Sequence, residues 1–104
     1  MTKEQQLLLL LDQLSPLMQR LNLWQEHAPQ VEALQSSEPF ALDRLAPEQW
    51  LQWVFIPKMF VIIEQKQPLP RGFAITPYFE ECWKEHGEYM PLISLLRSID
   101  EVCA

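Results

Sequence analysis

Between Ser36 and Trp83 the chain reads SSEPFALDRLAPEQWLQWVFIPKMFVIIEQKQPLPRGFAITPYFEECW. Aromatic and aliphatic residues alternate with prolines throughout this segment, and almost no side chain suited to catalysis lies among them. Such a pattern indicates helices that bury apolar faces, separated by loops that proline makes stiff. The segment therefore predicts an architecture but no reaction.

The middle of this segment predicts a long helix from about Asp43 to Gln65. Pro47 suits its first turn, where a missing amide proton leaves no hydrogen bond unmade. The polar residues form no wide face, so this second helix is expected to be apolar around most of its girth and central in the fold. Pro57 predicts a kink.

The first helix precedes this segment. Thr2 and Gln5 have the spacing of a capping box, and apolar residues follow at helical intervals. Pro16 predicts a kink, but the apolar spacing continues through it, so we expect one kinked helix from about Lys3 to Leu23. The residues of the apolar stripe are Leu7, Leu11, Leu14, Met18 and Leu21.

Two shorter helices follow a long connection and a stiff loop. The connection, Asn22–Arg44, contains a helical turn or two between Pro29 and Leu34, and the loop is Gln67–Ile75. Thr76 and Pro77 then begin a third helix, which Gly87 ends. The fourth helix is Met90–Val102. Its apolar stripe is Leu92, Leu95, Leu96, Ile99 and Val102, and its polar side is Arg97, Asp100 and Glu101. These elements predict an all-α four-helix bundle in a single domain, residues 1–104.

Composition limits the class of protein. The chain has 104 residues, of which 48% are hydrophobic, enough for one core. Fourteen acidic and eight basic residues give a net charge of -6, which repels phosphate backbones and argues against autonomous nucleic-acid binding. The longest apolar tract, Trp50–Ile63, is shorter than the roughly 20 residues of a membrane span. With no secretory signal visible, the prediction is a cytoplasmic protein in which Cys82 and Cys103 are reduced thiols.

Catalytic signatures are sparse. Cys82 and His86, with Glu85 beside them, supply only two good metal ligands, so we expect Cys82 in the core and His86 at a helix end. Glu80 and Glu81 diverge around a helix and are expected to face solvent. Two glycines in the whole chain exclude a glycine-rich phosphate loop. The sequence predicts no enzyme, no cofactor, no catalytic residue and no metal site.

Two phrases of the sequence indicate a family. They are SSEPFALDRLAPEQWLQWVFIPKM and QPLPRGFAITPYFE, within the stretch from Trp24 to Trp83. Through them the chain resembles the YqcC-like family of small bacterial cytosolic proteins with a four-helix-bundle fold. The gene for a member often lies beside that for a tRNA pseudouridine synthase. The resemblance therefore implies an association with that enzyme and supplies no catalytic residue.

An interaction surface is predicted from two neighbouring features. Trp50 and Trp53 lie three residues apart on a helix, and tryptophan is enriched where proteins bind one another, although core packing is the alternative. Residues 56–71 carry three basic side chains and one acidic one, a net charge of +2 (3 - 1) opposite in sign to the whole chain. The stiff segment Pro68–Pro70 presents these charges with little ordering cost. The predicted surface residues are Trp50, Trp53, Lys58, Lys66, Pro68, Pro70, Arg71, Phe73 and Tyr78.

Several classes of function remain open at this point. The leading hypothesis is a non-catalytic accessory protein whose protein partner is a tRNA-modifying enzyme such as a pseudouridine synthase. The alternatives are a metal- or thiol-dependent enzyme, a homodimer that buries the apolar helix, and a small-ligand or regulatory domain with an aromatic pocket. The residues expected to line that pocket are Phe40, Phe55, Phe73 and Tyr78.

Overall fold

The computed structural model describes residues 2–35 and 45–104, which form helices and no strand. Four helical stretches (3–20, 47–64, 76–82 and 90–102) carry the core, so the predicted all-α bundle is confirmed. Phe40 and the predicted helix start at Asp43 lie outside the described residues. The helices are α1 (Lys3–Arg20), α2 (Val31–Leu34), α3 (Pro47–Trp50), α4 (Ile56–Glu64), α5 (Thr76–Cys82) and α6 (Met90–Val102), with a π-helical turn at Leu51–Phe55 and a 3-10 turn at Gly87–Tyr89.

The start and the buried face of α1 agree with the sequence pattern. Thr2 Oγ1 accepts the Gln5 N–H at 3.1 Å, and Gln5 Oε1 accepts the Thr2 N–H at 3.1 Å, which completes the capping box. The helix continues through Pro16 because burial of the apolar stripe on both sides of the proline outweighs one lost hydrogen bond. The buried residues of α1 are Leu7, Leu11, Leu14 and Met18.

The end of α1 comes before the predicted Leu23. Asn22 has a φ of 61°, the left-handed conformation that commonly ends helices, and the Leu23 N–H returns to Met18 O at 2.8 Å. Leu23 is buried after this turn, although it no longer belongs to the helix. The predicted helix was therefore too long, because the apolar pattern continues to Leu23 although α1 ends at Arg20.

A π-helical turn interrupts the second helical stretch, residues 47–64. Pro57 has no amide proton to offer the Trp53 carbonyl, and its ring would clash with that carbonyl in a regular α-helix. The turn before the proline is widened, because the Ile56 N–H bonds to Leu51 O, five residues back. The distortion predicted at Pro57 therefore takes the form of a π turn.

The core lies where the four stretches meet. α1 and α6 share the most extensive contact, and α6 also packs against α5. The second stretch is largely apolar, as predicted, but it is not covered on every side, since Pro57, Lys58 and Val61 are exposed. The largest fully buried side chains are Phe79, Leu7, Leu11, Leu14, Met18, Leu51, Leu92, Leu96, Ile99 and Cys103.

Candidate functional site

A groove of about 410 Å³ lies between the second helical stretch and the loop of residues 65–75. We call it the loop groove. Four residues predicted for the interaction surface line it, namely Trp50, Lys58, Pro70 and Phe73. The other lining residues are Val54, Phe55, Met59 and Ile75. The groove therefore brings together residues from the apolar helix and from the proline-rich loop that follows it.

Aromatic rings connect the groove to the core. The Trp50 ring centre lies 5.5 Å from that of Phe55 and 6.1 Å from that of Phe79. Phe73, from the loop, meets Phe55 edge-on at 6.2 Å. Phe55 and Phe79 are buried, whereas Trp50 and Phe73 are half-buried. Trp50 is therefore at once a packing residue and a surface residue.

The other five predicted surface residues do not line the groove. Lys66, Pro68 and Arg71 are exposed on the loop. Tyr78 is half-buried in α5, where its ring meets that of a core phenylalanine at 5.2 Å. Of the described residues predicted to line an aromatic pocket, Phe55 and Phe73 line this groove and Tyr78 does not.

Trp53 belongs to a polar network that the sequence analysis missed. Its indole N–H donates to Gln25 Oε1 at 3.1 Å, and Gln49 Nε2 donates to the same oxygen at 3.4 Å. Gln52, only 4% exposed, donates from Nε2 to Gln25 O at 2.7 Å and accepts the Gln25 N–H at 2.8 Å. These bonds satisfy partly buried polar groups and fix the chain after α1 to the second helical stretch. The only indication of this network in the sequence was one glutamine, Gln52, within a largely apolar helix.

The end of α6 holds the loop wall of the groove. Asp100 Oδ1 accepts the Ile75 N–H at 3.0 Å, Asp100 Oδ2 accepts the Thr76 N–H at 2.9 Å, and the Gly72 N–H donates to Cys103 O at 2.8 Å. Gly72 has a φ of 75°, which favours glycine. The prediction of Thr76 as N-cap is wrong, because α5 begins at Thr76 and a carboxylate from α6 binds its first amides. The sequence placed Asp100 only on the polar side of α6 and did not predict these bonds.

Two predictions around Cys82 are also wrong. Cys82 was expected in the core but is exposed, because the buried face of α5 runs through positions 76, 79 and 83. α5 ends at Cys82, so Gly87 begins a 3-10 turn and does not cap the helix. Cys82 and Cys103 are free thiols, as predicted.

His86 is near one acidic side chain, since its Nδ1 lies 3.1 Å from Glu88 Oε1. In the described part of the chain, no three His, Cys, Asp or Glu residues are arranged to hold a metal ion.

A second groove, of about 660 Å³, lies between α1 and α6 and is lined by none of the predicted surface residues. Its lining includes Leu10, Leu17, Arg20 and Leu95.

Among the described helices, none has both the length and the apolar character needed to cross a bilayer.

Comparison with known proteins identifies the family. The model of the DUF446 family, described as tRNA pseudouridine synthase C, matches residues 6–102. The chain belongs to the DUF446 family. An uncharacterized protein of Haemophilus influenzae is 47% identical to this DUF446 chain over 92 residues, which covers 88% of this chain and 87% of that protein. The uncharacterized protein YqcC of Escherichia coli is 34% identical over 105 residues, 100% of this chain and 96% of that protein.

The DUF446 fold is also found in a solved structure. The solution NMR structure of YqcC from E. coli has a TM-score of 0.88 and 34% identity, and the match covers 100% of this chain and 90% of that one. The resemblance to the YqcC-like family is therefore confirmed. A further DUF446 likeness is to part of the tRNA pseudouridine synthase C of Pectobacterium carotovorum. It is 43% identical over 61 residues, 59% of this chain and 16% of that protein.

Proposed function

We propose that this chain is a non-catalytic accessory domain that binds a tRNA pseudouridine synthase. The proposal is carried by the likeness to a 61-residue segment that occupies 16% of the Pectobacterium tRNA pseudouridine synthase C. Related sequence thus occurs both as a chain of its own and within a longer chain that has the synthase name. Domains that share one chain are held beside each other at high effective concentration. The contact that this domain makes with the synthase within one chain is the contact we expect between the two proteins when they are separate chains.

In this proposal the reaction belongs to the rest of the synthase, since most of the Pectobacterium protein lies outside the matching segment. The net charge of -6 on the present chain opposes independent binding of tRNA. The synthase therefore holds the tRNA, and this chain contacts the synthase polypeptide. The loop groove is its contact surface, because it combines half-buried aromatic rings with the exposed cation Lys58 and lies beside the exposed cation Arg71 of the same loop.

Capture with purified components tests the proposal. The tagged chain is immobilised and exposed at low salt to the tRNA pseudouridine synthase encoded in the same genome, with and without ribonuclease. We expect the synthase to be retained in both cases, and the chain alone to form no pseudouridine in tRNA. Loss of the synthase on ribonuclease treatment, or no retention at low salt, would contradict a protein–protein contact.

A small apolar ligand is the second candidate, favoured by the groove volume of about 410 Å³, which lies within the range typical of ligand sites. A ligand that binds the groove of the folded chain should raise the melting temperature progressively as its free concentration rises above the dissociation constant. Replacing Phe73 with alanine should abolish that rise, whereas replacing Leu95, in the other groove, should not.

A further inference from the structure

The loop groove is shaped for apolar side chains. Seven of its eight lining residues are apolar or aromatic, and they come from two separate elements. On the helical side, Trp50, Val54 and Lys58 recur at intervals of four, so they form a continuous strip. Phe73 and Pro70 face them from the loop. Interfaces concentrate their binding energy in pockets of this kind, where a few large apolar groups lose contact with water.

The groove is also preorganised. Its loop wall is attached to α6 through both carboxylate oxygens of Asp100 and through the bond from the Gly72 N–H to Cys103 O. Pro68 and Pro70 restrict the backbone of the same loop. A partner that enters the groove therefore has little loop ordering to impose, which favours binding of a short segment.

Two exposed cations, one in the groove lining and one beside it, favour an acidic partner. Lys58 lines the groove and is exposed, and Arg71, also exposed, follows Pro70 in the loop wall. Neither cation forms an ion pair with a described residue. Elsewhere the excess charge is negative, with -6 on the whole chain. An acidic segment is attracted at this groove and repelled by the remaining surface, so charge fixes where it docks.

From this combination we propose that the loop groove binds an acidic amphipathic segment of the synthase polypeptide, an inference that rests on the proposed function. Apolar side chains of the segment enter between Trp50 and Phe73, and its carboxylates face Lys58 and Arg71. Amphipathic segments dock in grooves by this division of apolar and polar contacts. RNA fits less well, because the groove offers mainly apolar lining and the acidic chain repels phosphate.

The first test compares two charge reversals on exposed residues. Lys58→Glu changes the loop groove, and Arg20→Glu makes the same change in the groove between α1 and α6. The affinity of each variant for the purified synthase is measured at low salt, after its melting temperature has been checked against wild type. We expect Lys58→Glu to weaken binding about tenfold and Arg20→Glu to change it by less than about twofold.

A second readout locates the contact and identifies its chemistry. The ¹⁵N-labelled chain is titrated with overlapping peptides that cover the synthase sequence, and the indole N–H signals are followed. We expect the peptides that bind to be acidic with at least two apolar residues, and to shift the Trp50 signal but not that of the core residue Trp83.

The outcomes separate the two proposals. If the synthase binds wild type and both variants equally, the groove assignment is overturned while the accessory function stands. If wild type does not bind the synthase, the accessory function itself fails. Binding of only basic or neutral peptides, or a Trp50 shift caused by tRNA alone, would overturn the acidic-segment assignment.

Discussion

Tyr78 is the residue whose ionisation the fold changes most clearly. Burial raises the pKa of Tyr78 to about 12, assisted by a hydrogen bond with the Cys82 side chain and by the negative charges of Cys82 and Glu48. The usual value is 10.0. Because the folded chain holds the phenolic proton more tightly than the unfolded chain, protonation stabilises the fold. That contribution is complete below pH 10 and is lost as the pH rises through 12.

Absorbance titration of tyrosinate measures the pKa of Tyr78 in the folded and the unfolded chain. The difference between wild type and Tyr78→Phe should titrate with a midpoint of about 12 in the folded protein and near 10 in denaturant. The stability of wild type should also fall more steeply than that of Tyr78→Phe between pH 10 and 12. A folded-state midpoint near 10 would contradict the burial of the Tyr78 hydroxyl.

Thr76 carries the one buried side-chain polar atom that has no hydrogen-bond partner among the described residues, its Oγ1. Thr76 is 3% exposed, so the hydroxyl has left water without compensation. We expect Thr76→Val, which replaces the hydroxyl with a methyl group, to stabilise the protein by about 1 kcal/mol. Thr76→Ser keeps the hydroxyl and should not stabilise. Chemical denaturation measures both, and a destabilised valine variant would contradict the assignment.

At the scale of elements, Gln52 joins the π turn to the segment after α1. Its side-chain amide satisfies both backbone polar groups of Gln25, so truncation leaves a partly buried donor and acceptor unpaired. We expect Gln52→Ala to lower the free energy of unfolding by about 2 kcal/mol. Gln13→Ala, on the exposed side of α1, should change it by less than about 0.5 kcal/mol. Equal changes in the free energy of unfolding for the two variants would contradict the structural role assigned to Gln52.

Asp100 joins α6 to the start of α5 and to the wall of the loop groove. Asp100→Ala should lower the free energy of unfolding by about 1–2 kcal/mol, since helix N-caps contribute this much. Hydrogen exchange at the Ile75 and Thr76 amides should accelerate beyond the global effect. Glu101→Ala, at the exposed neighbouring position, is the control and should leave both amides protected. Unchanged exchange in Asp100→Ala would contradict the cap.

For the whole molecule, sequence periodicity was sufficient to predict the helices and most of the core. Stripes such as Leu7 to Met18 are local patterns that a helix converts directly into a buried face. The caps and networks were not predictable, because they join distant residues. Gln25 and Gln52 are 27 positions apart, and Thr76 and Asp100 are 24 apart. Such pairs exist only after the bundle has assembled.

The loop groove shows the same division. The sequence pointed to the two elements that form its walls, the apolar helix and the basic, proline-rich loop that follows it. It could not indicate that Trp53 turns toward Gln25, since both tryptophans lie on overlapping helical faces and the π turn changes the spacing between them. Of the nine residues predicted for the interaction surface, four line the groove, and the role of that surface stays a prediction.

Sedimentation velocity detects a complex of this chain with the tRNA pseudouridine synthase without depending on turnover or on RNA. The fluorescently labelled chain is sedimented at low salt with increasing amounts of purified, RNA-free synthase from the same genome. We expect the label to sediment at the rate of a larger complex and the binding to saturate at one chain per synthase. If the label sediments as the free chain at every synthase concentration, the chain is not an accessory domain of that enzyme.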